Sequence, residues 1–315
     1  MLDRLAWLRP SVLGPEVSRR LVAAAGHVAP AHTVSRVAGL IRLPNLISQV
    51  AGTAETVGAL LVVVATIEYL SGSRRSPYLS RVFAQDVAWA FFNGPIFGIF
   101  IWAAIAGALG RRLDVLQIDL LARLPAGAHL LIYWLLGDFI HYWLHRLEHS
   151  WAPLWAFHSV HHSQTEMTFV STHRFHPVEQ LVMNLSMVVP LLVIGIPPSS
   201  WIGVTITLWI FDAVQHSALD WTYGRGYALF VSPRFHALHH SIEPRHSNGN
   251  YSKILSAWDY LFGTAIRDER PERLGVAGIP PPRTFMAQML APFRLLAARA
   301  AGDRPSRQTA GVVGK

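Results

Sequence analysis

The chain has 315 residues, of which 51% are hydrophobic and only 15% are charged, and its mean hydropathy is +0.30. This composition argues against an ordinary soluble enzyme and favours an integral membrane protein with sizeable polar segments. The absence of cysteine excludes disulfides, thiolate metal sites and iron–sulfur clusters. The formal charge of +8 comes largely from arginine and suits contact with anionic head groups better than nucleic-acid binding.

Apolar stretches follow a short polar beginning. The first 30 residues have no features of a cleavable signal, and residues 1–45 are predicted to form a basic amphipathic or partly disordered lead-in. Pro197 and Pro198 interrupt the last apolar region and divide it into two spans. The pattern predicts an all-α integral membrane helical bundle of about four to five spans. The predicted spans cover residues 50–70, 87–109, 129 onward into the first histidine group, 181–196 and 199–216.

Histidines recur at helical spacing in three groups. Positions i, i+3 and i+4 lie on one helix face, so each group presents several imidazoles in one direction. Neutral imidazole binds iron, zinc, copper and nickel, whereas packing many imidazoles without metal strands their donors and acceptors. The spacing therefore predicts a metal centre. The groups are His145 and His149, then His158, His161 and His162, then His236, His239 and His240.

The remaining histidines differ in their expected roles. His176 is favoured over His173 as a further ligand, and His216 is a ligand candidate because it ends the fifth predicted span. His141 and His246 are expected to support the ligands rather than bind metal. Ordinary interfacial roles are expected for His27, His32 and His129.

The histidine groups and their flanks resemble the fatty acid hydroxylase and sterol desaturase superfamily of integral-membrane, non-haem metal oxygenases. The resemblance covers about residues 130–265, and it is specific because the boxes and their flanking residues occur in the same order. Residues 1–80 and those after 266 carry no such match. The matching text is DFIHYWLHRLEH at 138–149, PLWAFHSVHHS at 153–163, THRFHPVE at 172–179, FHALHHS at 235–241, NGNY at 248–251 and AWDYLFGT at 257–264.

The resemblance implies two metal ions, iron in the active enzyme, with dioxygen as co-substrate; zinc is an expected substitute in purified protein. Eight to ten imidazoles are also too many for one ion. No catalytic residue beyond the metal ligands and no other cofactor is expected. The predicted ligands are His145, His149, His158, His161, His162, His176, His216, His236, His239 and His240.

Carboxylates near the boxes are expected to accept hydrogen bonds from imidazole nitrogens and so fix the tautomers of the ligands. Plain ion pairs are an equal alternative for Glu148, Glu166 and Asp259. Asn250 either shapes a turn or reaches a metal-bound water. The candidate carboxylates are Asp138, Glu148, Glu166, Glu179, Asp212 and Asp259.

The histidine-containing segments at 145–176 and 216–246 flank a predicted two-span hairpin, so both should lie on one side of the membrane. Arginines there, Arg174 among them, favour the cytoplasmic side, although Arg111, Arg112 and Arg123 count against it. We therefore predict a multi-pass protein with a cytoplasmic histidine-rich helical cap that holds a dinuclear metal site. The predicted domains are the lead-in at 1–45, a membrane-embedded hydroxylase/desaturase domain at 46–266, and a basic tail at 267–315 with an interfacial helix over 285–301.

The predicted function is dioxygen-dependent oxidation of a lipid or sterol C–H bond, by hydroxylation or by desaturation. Electrons are expected from a separate donor of the cytochrome b5, ferredoxin or reductase type, and no nucleic-acid partner is expected. The alternative is a histidine-rich membrane protein for metal binding or transport, which predicts ligands inside the spans and weak, exchangeable metal. A third option is a scaffold that has lost activity but kept the motifs.

Overall fold

The computed structural model describes residues 43–72, 77–97, 121, 123–194, 201–267 and 269–302. Throughout these residues the regular structure is helical, as predicted, and the only β-type pairing is an isolated antiparallel bridge between Ser241 and Leu274. The predicted lead-in at 1–45 lies almost wholly outside the described residues. The boundaries of the predicted domains stay predictions.

The first helix, α1 (Leu43–Leu70), contains the strongest predicted span. Within it, Val50–Leu70 is long and apolar enough to cross a membrane, and no other helix in the described part of the chain meets both criteria. The second predicted span corresponds to α2 (Arg81–Phe91), followed by a π-helical turn at Phe92–Phe97. Its remainder lies outside the described residues, so the total number of spans stays a prediction.

Two compact units divide the chain: one includes the described residues 43–59 and 90–97, and the other includes residues 60–89 and those from 121 onward. In the first unit, Phe92 and Phe97 stack with their ring centroids 5.9 Å apart. The second unit contains every predicted metal ligand. Its further helices are α3 (Ala126–Ser150), α4 (Ala152–His162), α5 (Pro177–Val193), α6 (Trp201–Gln215), α7 (Pro233–His239), α8 (Ala257–Leu261) and α9 (Phe285–Ala300).

Helix α3 is the centre of this second unit, because α4, α5 and α6 all pack against it. Asp138, on α3, accepts hydrogen bonds at 2.9 Å from the backbone N–H groups of Ile254 and Leu255 and from the Trp258 indole. This carboxylate thereby fixes the loop before α8 to the middle of α3. Since buried carboxylates need such partners, the contact explains why an acidic residue is tolerated in an apolar helix.

The short helices that carry histidines begin at defined caps. Ser232 precedes α7 and its hydroxyl accepts the backbone N–H of Phe235, while Pro233 occupies the first turn. Both residues favour helix initiation, since the serine satisfies a free N–H and proline has none to satisfy. Helix α4 likewise has a proline in its first turn. These caps fix the start of each box and hence the direction of its histidines.

The described residues from 269 to 302 pack against other segments of the second unit. Gly275 donates its backbone N–H to the carbonyl of His240, and Ile242 donates to that of Arg273. Helix α9 confirms the predicted helix and packs against α4. Its inner side chain Gln288 is buried, whereas Met286 on the outer side is 62% exposed. The predicted contact of α9 with a membrane surface stays a prediction.

Candidate metal centre

Nine of the ten predicted ligands come together in two groups of buried side chains. Within each group, one ligand atom per ring lies within 4.8 Å of the others. All nine rings are buried. The five-histidine cluster comprises His145, His149, His158, His162 and His239, and the four-histidine cluster comprises His161, His216, His236 and His240.

Four segments supply these rings. Helix α3 presents His145 and His149 one turn apart, and α4 presents the second box from its last turn. His216 directly follows α6, and its Nδ1 atom lies 2.9 Å from the backbone oxygen of Asp212 one turn earlier. Helix α7 presents most of the third box, and His240 follows its last residue. The boxes are distant in sequence, but the packing of these helices makes them neighbours.

Imidazole nitrogens point at one another in the five-histidine cluster. The Nε2 atom of His158 lies 3.0 Å from that of His145 and 3.2 Å from that of His162, and the Nε2 atoms of His149 and His162 are 3.1 Å apart. Two nitrogens that bind one ion at right angles, each about 2.1 Å away, are themselves about 3.0 Å apart. The spacing of the rings therefore matches that of ligands on one ion.

The Nδ1 partners of His145 and His158 exclude a hydrogen bond between these two rings as the reason for their close approach. His145 and His239 have carbonyl oxygens 2.8 and 2.9 Å from Nδ1, and His158 has a Glu179 carboxylate oxygen 2.6 Å from Nδ1. An oxygen acceptor requires the proton on Nδ1, so each neutral ring presents a lone pair on Nε2. Lone pairs at hydrogen-bond distance repel unless a cation lies between them. The buried Nε2 of His239 indeed lacks a hydrogen-bond partner among the described residues. This donor set fits a metal ion.

The four-histidine cluster repeats the arrangement. The Nε2 atom of His216 lies 3.3 Å from that of His161 and 3.0 Å from that of His236, which in turn lies 3.1 Å from that of His240. Phe175 stacks on His161 with ring centroids 4.7 Å apart and an interplanar angle of 9°. Four converging imidazoles are a second donor set suited to one ion.

The two clusters adjoin each other. The ring centroid of His162 lies 4.4 Å from that of His240 and 4.7 Å from that of His239. Neighbouring residues of each HxxHH box thus belong to different clusters, and the two boxes are side by side as the sequence analysis requires. The geometry suits two ions in adjacent positions rather than two independent sites.

Burial keeps these rings neutral. It lowers the pKa values of His158, His161, His162 and His240 well below the ordinary value of 6.5, and neighbouring histidines lower them further. Burial also lowers the pKa of His239, to about 4. Because only the neutral ring binds a metal ion, the clusters are ready to bind metal at neutral pH without first losing protons.

His176 is the predicted ligand that the structure does not bring to either cluster. Its Nδ1 atom accepts the backbone N–H of Val178 at 3.1 Å, and its Nε2 atom lies 3.2 Å from the carbonyl oxygen of Met289. The ring packs against Phe157 and Phe293. Both nitrogens are therefore engaged elsewhere, because the start of α5 at Pro177 turns the side chain toward α9.

Three other histidines occupy supporting positions. His141 lies one turn before His145, with ring centroids 5.4 Å apart. His173 lies 3.1 Å from the indole nitrogen of Trp209. His246 contacts Glu269 through Nε2 at 2.8 Å and lies outside both clusters.

The candidate carboxylates have several different partners. Glu179 contacts the Nδ1 atom of His158, as expected, and Glu148 lies 3.6 Å from the same atom. Asp138 and Asp259 instead accept backbone N–H groups, Asp259 from Tyr251 and Ser252 at 2.9 Å. The prediction that these two fix imidazole tautomers is wrong, since they fix the loop beside the cluster. The two other candidates are Asp212, which pairs with Lys253, and Glu166, which is exposed.

Asn250 shapes a turn, as the first alternative predicts. Its amide nitrogen donates to the carbonyls of Phe235 and Ile266, and its amide oxygen accepts the N–H of Ile266. Asn250 adopts a left-handed backbone conformation, with φ of 60°, which asparagine tolerates well. The preceding Gly249 supplies the carbonyl that binds His239. Asn250 thus positions a ligand indirectly.

Two features of the site were not predicted from the sequence: the backbone carbonyls that orient histidine rings, and one buried ion pair. Arg174 is buried and donates from Nε to Asp86 at 2.6 Å, whereas its sequence context places it among the surface arginines. Ser171 also donates to Asp86, at 2.6 Å. This pair ties α2 to the segment after the second box. The one available signal was an acidic residue just before an apolar stretch.

Comparison with known proteins agrees with the motifs. The family model described as fatty acid hydroxylase matches residues 130–264, the range that contains all nine clustered histidines. Residues 130–264 therefore carry a fatty acid hydroxylase domain.

Curated relatives of the fatty acid hydroxylase domain come from diverse organisms. Ornithine lipid hydroxylase of Rhizobium tropici is 32% identical over 54% of this chain and 51% of its own length. Methylsterol monooxygenase of Aspergillus fumigatus is 32% identical over 46% of this chain and 49% of its own length. Alkylglycerol monooxygenase of Danio rerio is 30% identical over 61% of this chain and 47% of its own length. The chain thus spans about half the length of these relatives. No solved structure matches it significantly.

Proposed function

We propose that this protein is a membrane-bound, non-haem di-iron oxidoreductase that uses dioxygen to oxidise a C–H bond of a lipid. The observation that carries the proposal is the convergence of buried imidazole nitrogens in two adjoining histidine clusters. Family membership supports it, since the relatives' names describe hydroxylases and monooxygenases of lipids and sterols. Hydroxylation is the primary reaction we propose, and desaturation is the second outcome of the same hydrogen removal.

Nine histidines would hold the metal ions, five in one cluster and four in the other. When bound, two iron ions would supply the reduction of dioxygen and the removal of hydrogen from an unactivated C–H bond. Glu179 and the carbonyls of Tyr251 and Gly249 fix the tautomers so that Nε2 faces the metal positions. Trp155 and Phe175 cover the outer faces of ligand rings and limit access of water to them. Electrons would come from a separate donor of the cytochrome b5, ferredoxin or reductase type.

Exposed apolar side chains near the centre support a lipid substrate. On α3, Leu131, Leu135, Trp143 and Leu147 are 41–59% exposed, and the three intervals between successive members are four or eight positions, about one or two helical turns. A soluble protein rarely exposes so many large apolar side chains along one helix. We infer that this stripe contacts lipid and that the substrate reaches the clusters from the bilayer. Trp151, 54% exposed, extends the stripe to the end of the helix.

The transport alternative receives less support. A transporter requires ligands spread along a path, with binding weak enough to release the ion. The described histidines instead form two closed clusters in which all nine rings are buried. An inactive scaffold would not need the complete set of oriented ligands.

Metal content and lipid chemistry together test the proposal. Protein purified anaerobically with iron should hold two ions per chain, and lipids of cells that express it should gain one oxygen or lose two hydrogens. His239→Ala should abolish the lipid product, and His176→Ala is the matched control because its ring lies outside both clusters. A wild-type protein with one ion or none, or a lipid product that persists in the His239→Ala variant, would contradict the proposal.

Sidedness needs its own experiment, because the proposed cytoplasmic location of the centre rests on arginine distribution and on access to a cytosolic donor. The chain has no cysteine, so single cysteines report cleanly. Ser163 is buried, and Glu166 and Ser247 are exposed positions on the two sides of the predicted hairpin. Cysteines at 166 and 247 should both react with impermeant reagent only from the cytoplasmic side. Reaction from opposite sides would exclude the two-span hairpin.

A further inference from the structure

Two buried carboxylates lie behind one ligand of the five-histidine cluster. Glu179 Oε1 is 2.6 Å from Nδ1 of His158, and Glu148 Oε2 is 3.6 Å from the same atom. Glu148 and Glu179 are 1% and 2% exposed. Neither has a cationic side chain as partner among the described residues, and both oxygens of Glu148 lack a hydrogen bond. Burying two carboxylates without a cation costs free energy of desolvation, so the presence of this pair in the core needs an explanation.

Among the described residues, no carboxylate lies against an Nδ1 atom of the four-histidine cluster, and the Gln164 amide nitrogen lies 3.2 Å from Nδ1 of His240. The carbonyl of Asp212 faces Nδ1 of His216, and the carboxylate of Asp212 is paired with Lys253 at 2.5 Å. The charge of this carboxylate is therefore already balanced. The Nδ1 atoms of His161 and His236 are buried without any hydrogen-bond partner among the described residues. The two clusters thus differ in charge and in hydrogen bonding behind their ligands.

We propose that Glu179 and Glu148 make the five-histidine cluster the position that retains its metal ion more strongly, so that the ion of the four-histidine cluster leaves first. This inference rests on the proposed function, because it assumes that both clusters bind metal. Glu179 and Glu148 are positioning residues: they act on the ion through His158 and do not touch it.

The physical reason is electrostatic, because a negative charge behind the imidazole ring strengthens the bond of that ring to the ion. A carboxylate that accepts the Nδ1 proton pulls it away from the ring and makes Nε2 a stronger donor. Glu179 Oε1 lies 2.6 Å from Nδ1 of His158 and Glu148 Oε2 lies 3.6 Å from the same atom, so carboxylate charge at this position lies directly behind the ring. In a buried site that charge attracts the cation much more strongly than it would in water. Groups of this kind contribute about 10- to 100-fold to metal affinity.

The test measures metal retention at each cluster separately, with zinc as a probe that does not oxidise. His236→Ala disables the four-histidine cluster, and His149→Ala disables the five-histidine cluster. Each protein is loaded with zinc in detergent, and zinc per chain is measured by mass spectrometry against increasing free chelator. In the His236→Ala background, adding Glu179→Gln should weaken zinc retention about 10- to 100-fold. In the His149→Ala background the same change should shift retention less than about threefold.

Glu166→Gln is the matched control, since it makes the same chemical change at an exposed carboxylate beyond α4. Glu166→Gln should leave zinc retention unchanged in both backgrounds. Equal weakening by Glu179→Gln in both backgrounds would show a general structural defect and overturn the inference, as would no weakening in either. If a background holds no zinc, Glu179→Gln is titrated in the otherwise wild-type chain. In that chain, the two chelator concentrations at which the first and the second zinc ion are released should move closer together. If both concentrations stay unchanged, the inference is overturned.

Failure of this inference is distinguishable from failure of the proposed function. A wild-type chain that binds fewer than two ions contradicts the function, whatever Glu179→Gln does. A wild-type chain that binds two ions and releases the ion of the five-histidine cluster first contradicts only the role of the carboxylates.

Discussion

The Nε2 atoms of His145 and His158 face each other at 3.0 Å, although an oxygen atom lies within 2.8 Å of Nδ1 on each ring. Each neutral ring therefore directs a lone pair at the other. Without a cation this contact is repulsive, and with one it becomes a pair of ligands. The stability of the folded protein should therefore depend on bound metal.

Removal of metal should lower the stability of the protein. Metal binds the folded clusters and not the dispersed histidines of an unfolded chain, so saturation at 100 times Kd adds about 2.7 kcal/mol per site. Thermal unfolding of the purified protein with and without chelator measures the difference, and returning metal should restore it. The His145→Ala/His236→Ala variant, which lacks a ligand in each cluster, should respond much less. Identical unfolding temperatures for loaded and chelated wild type would contradict this prediction.

His161→Ala should remove metal from the centre, whereas His176→Ala should leave it unchanged. His161 belongs to the four-histidine cluster, so its loss should reduce bound metal toward one ion per chain and reduce oxidation at least about 100-fold. His176→Ala removes packing against Phe157 and should leave both ions bound. Elemental analysis of the two variants measures the number of metal ions per chain and so distinguishes the two effects. Loss of metal from His176→Ala would show that the ring reaches a cluster.

Gly249→Ala should weaken metal binding through the backbone. A Cβ atom there would lie 2.7 Å from the carbonyl oxygen of Thr264, so the turn must move. The same turn carries the carbonyl that faces Nδ1 of His239. We expect a loss of about 1–3 kcal/mol in stability and weaker zinc retention, measured by unfolding and chelator titration. Gly226→Ala is the control, because its Cβ would meet Tyr223 only at an ordinary 3.8 Å.

The metal-free protein should become less stable below about pH 6.5. Burial lowers the pKa values of His239 and His173 to about 4, so these rings stay neutral in the folded state while unfolded histidines take up protons. The unfolded state then binds more protons, and stability falls as pH drops from 6.5 toward 4, whereas it is fully present above 6.5. Unfolding temperatures of chelated protein between pH 8 and pH 5 measure the effect. A flat profile across this range would exclude neutral buried histidines.

Breaking the buried pair of Asp86 and Arg174 should destabilise the protein more than breaking an exposed one. Arg174→Met leaves the Asp86 carboxylate buried without its cation, at a cost of about 3–5 kcal/mol. The Asp86→Asn/Arg174→Met double variant should cost less than that single change. Arg234→Ala breaks the partly exposed contact with Asp220 and should cost less than about 1 kcal/mol. Denaturant unfolding of these variants provides the comparison.

Local spacing made the clustering of the histidines predictable. Residues i, i+3 and i+4 share a helix face whatever the rest of the fold, so the groups at 158–162 and 236–240 were identifiable from sequence. His176 was not, because its direction depends on where α5 begins and on the Val178 N–H that its ring accepts. Proximity to a box in sequence says little about the direction of a side chain outside the helix.

Backbone partners could not be predicted at all. Every residue has a carbonyl group, so nothing in the sequence marks those of Gly249 and Tyr251 as acceptors for imidazole. The roles of Asp138 and Asp259 were missed for a similar reason, since an acidic residue near a histidine box has many candidate partners. Tertiary packing, which places α3 beside the loop before α8, decides among them.

The origin of the clustered histidines in four separate segments also has a consequence for the abundance of the protein in the cell. Ligands from α3, α4, the end of α6 and α7 are separated by up to 95 positions, from His145 to His240. Bound ions would therefore join distant parts of the chain much as covalent cross-links do. A newly made chain without metal would expose these segments to membrane proteases, so its abundance should follow the metal supply of the cell.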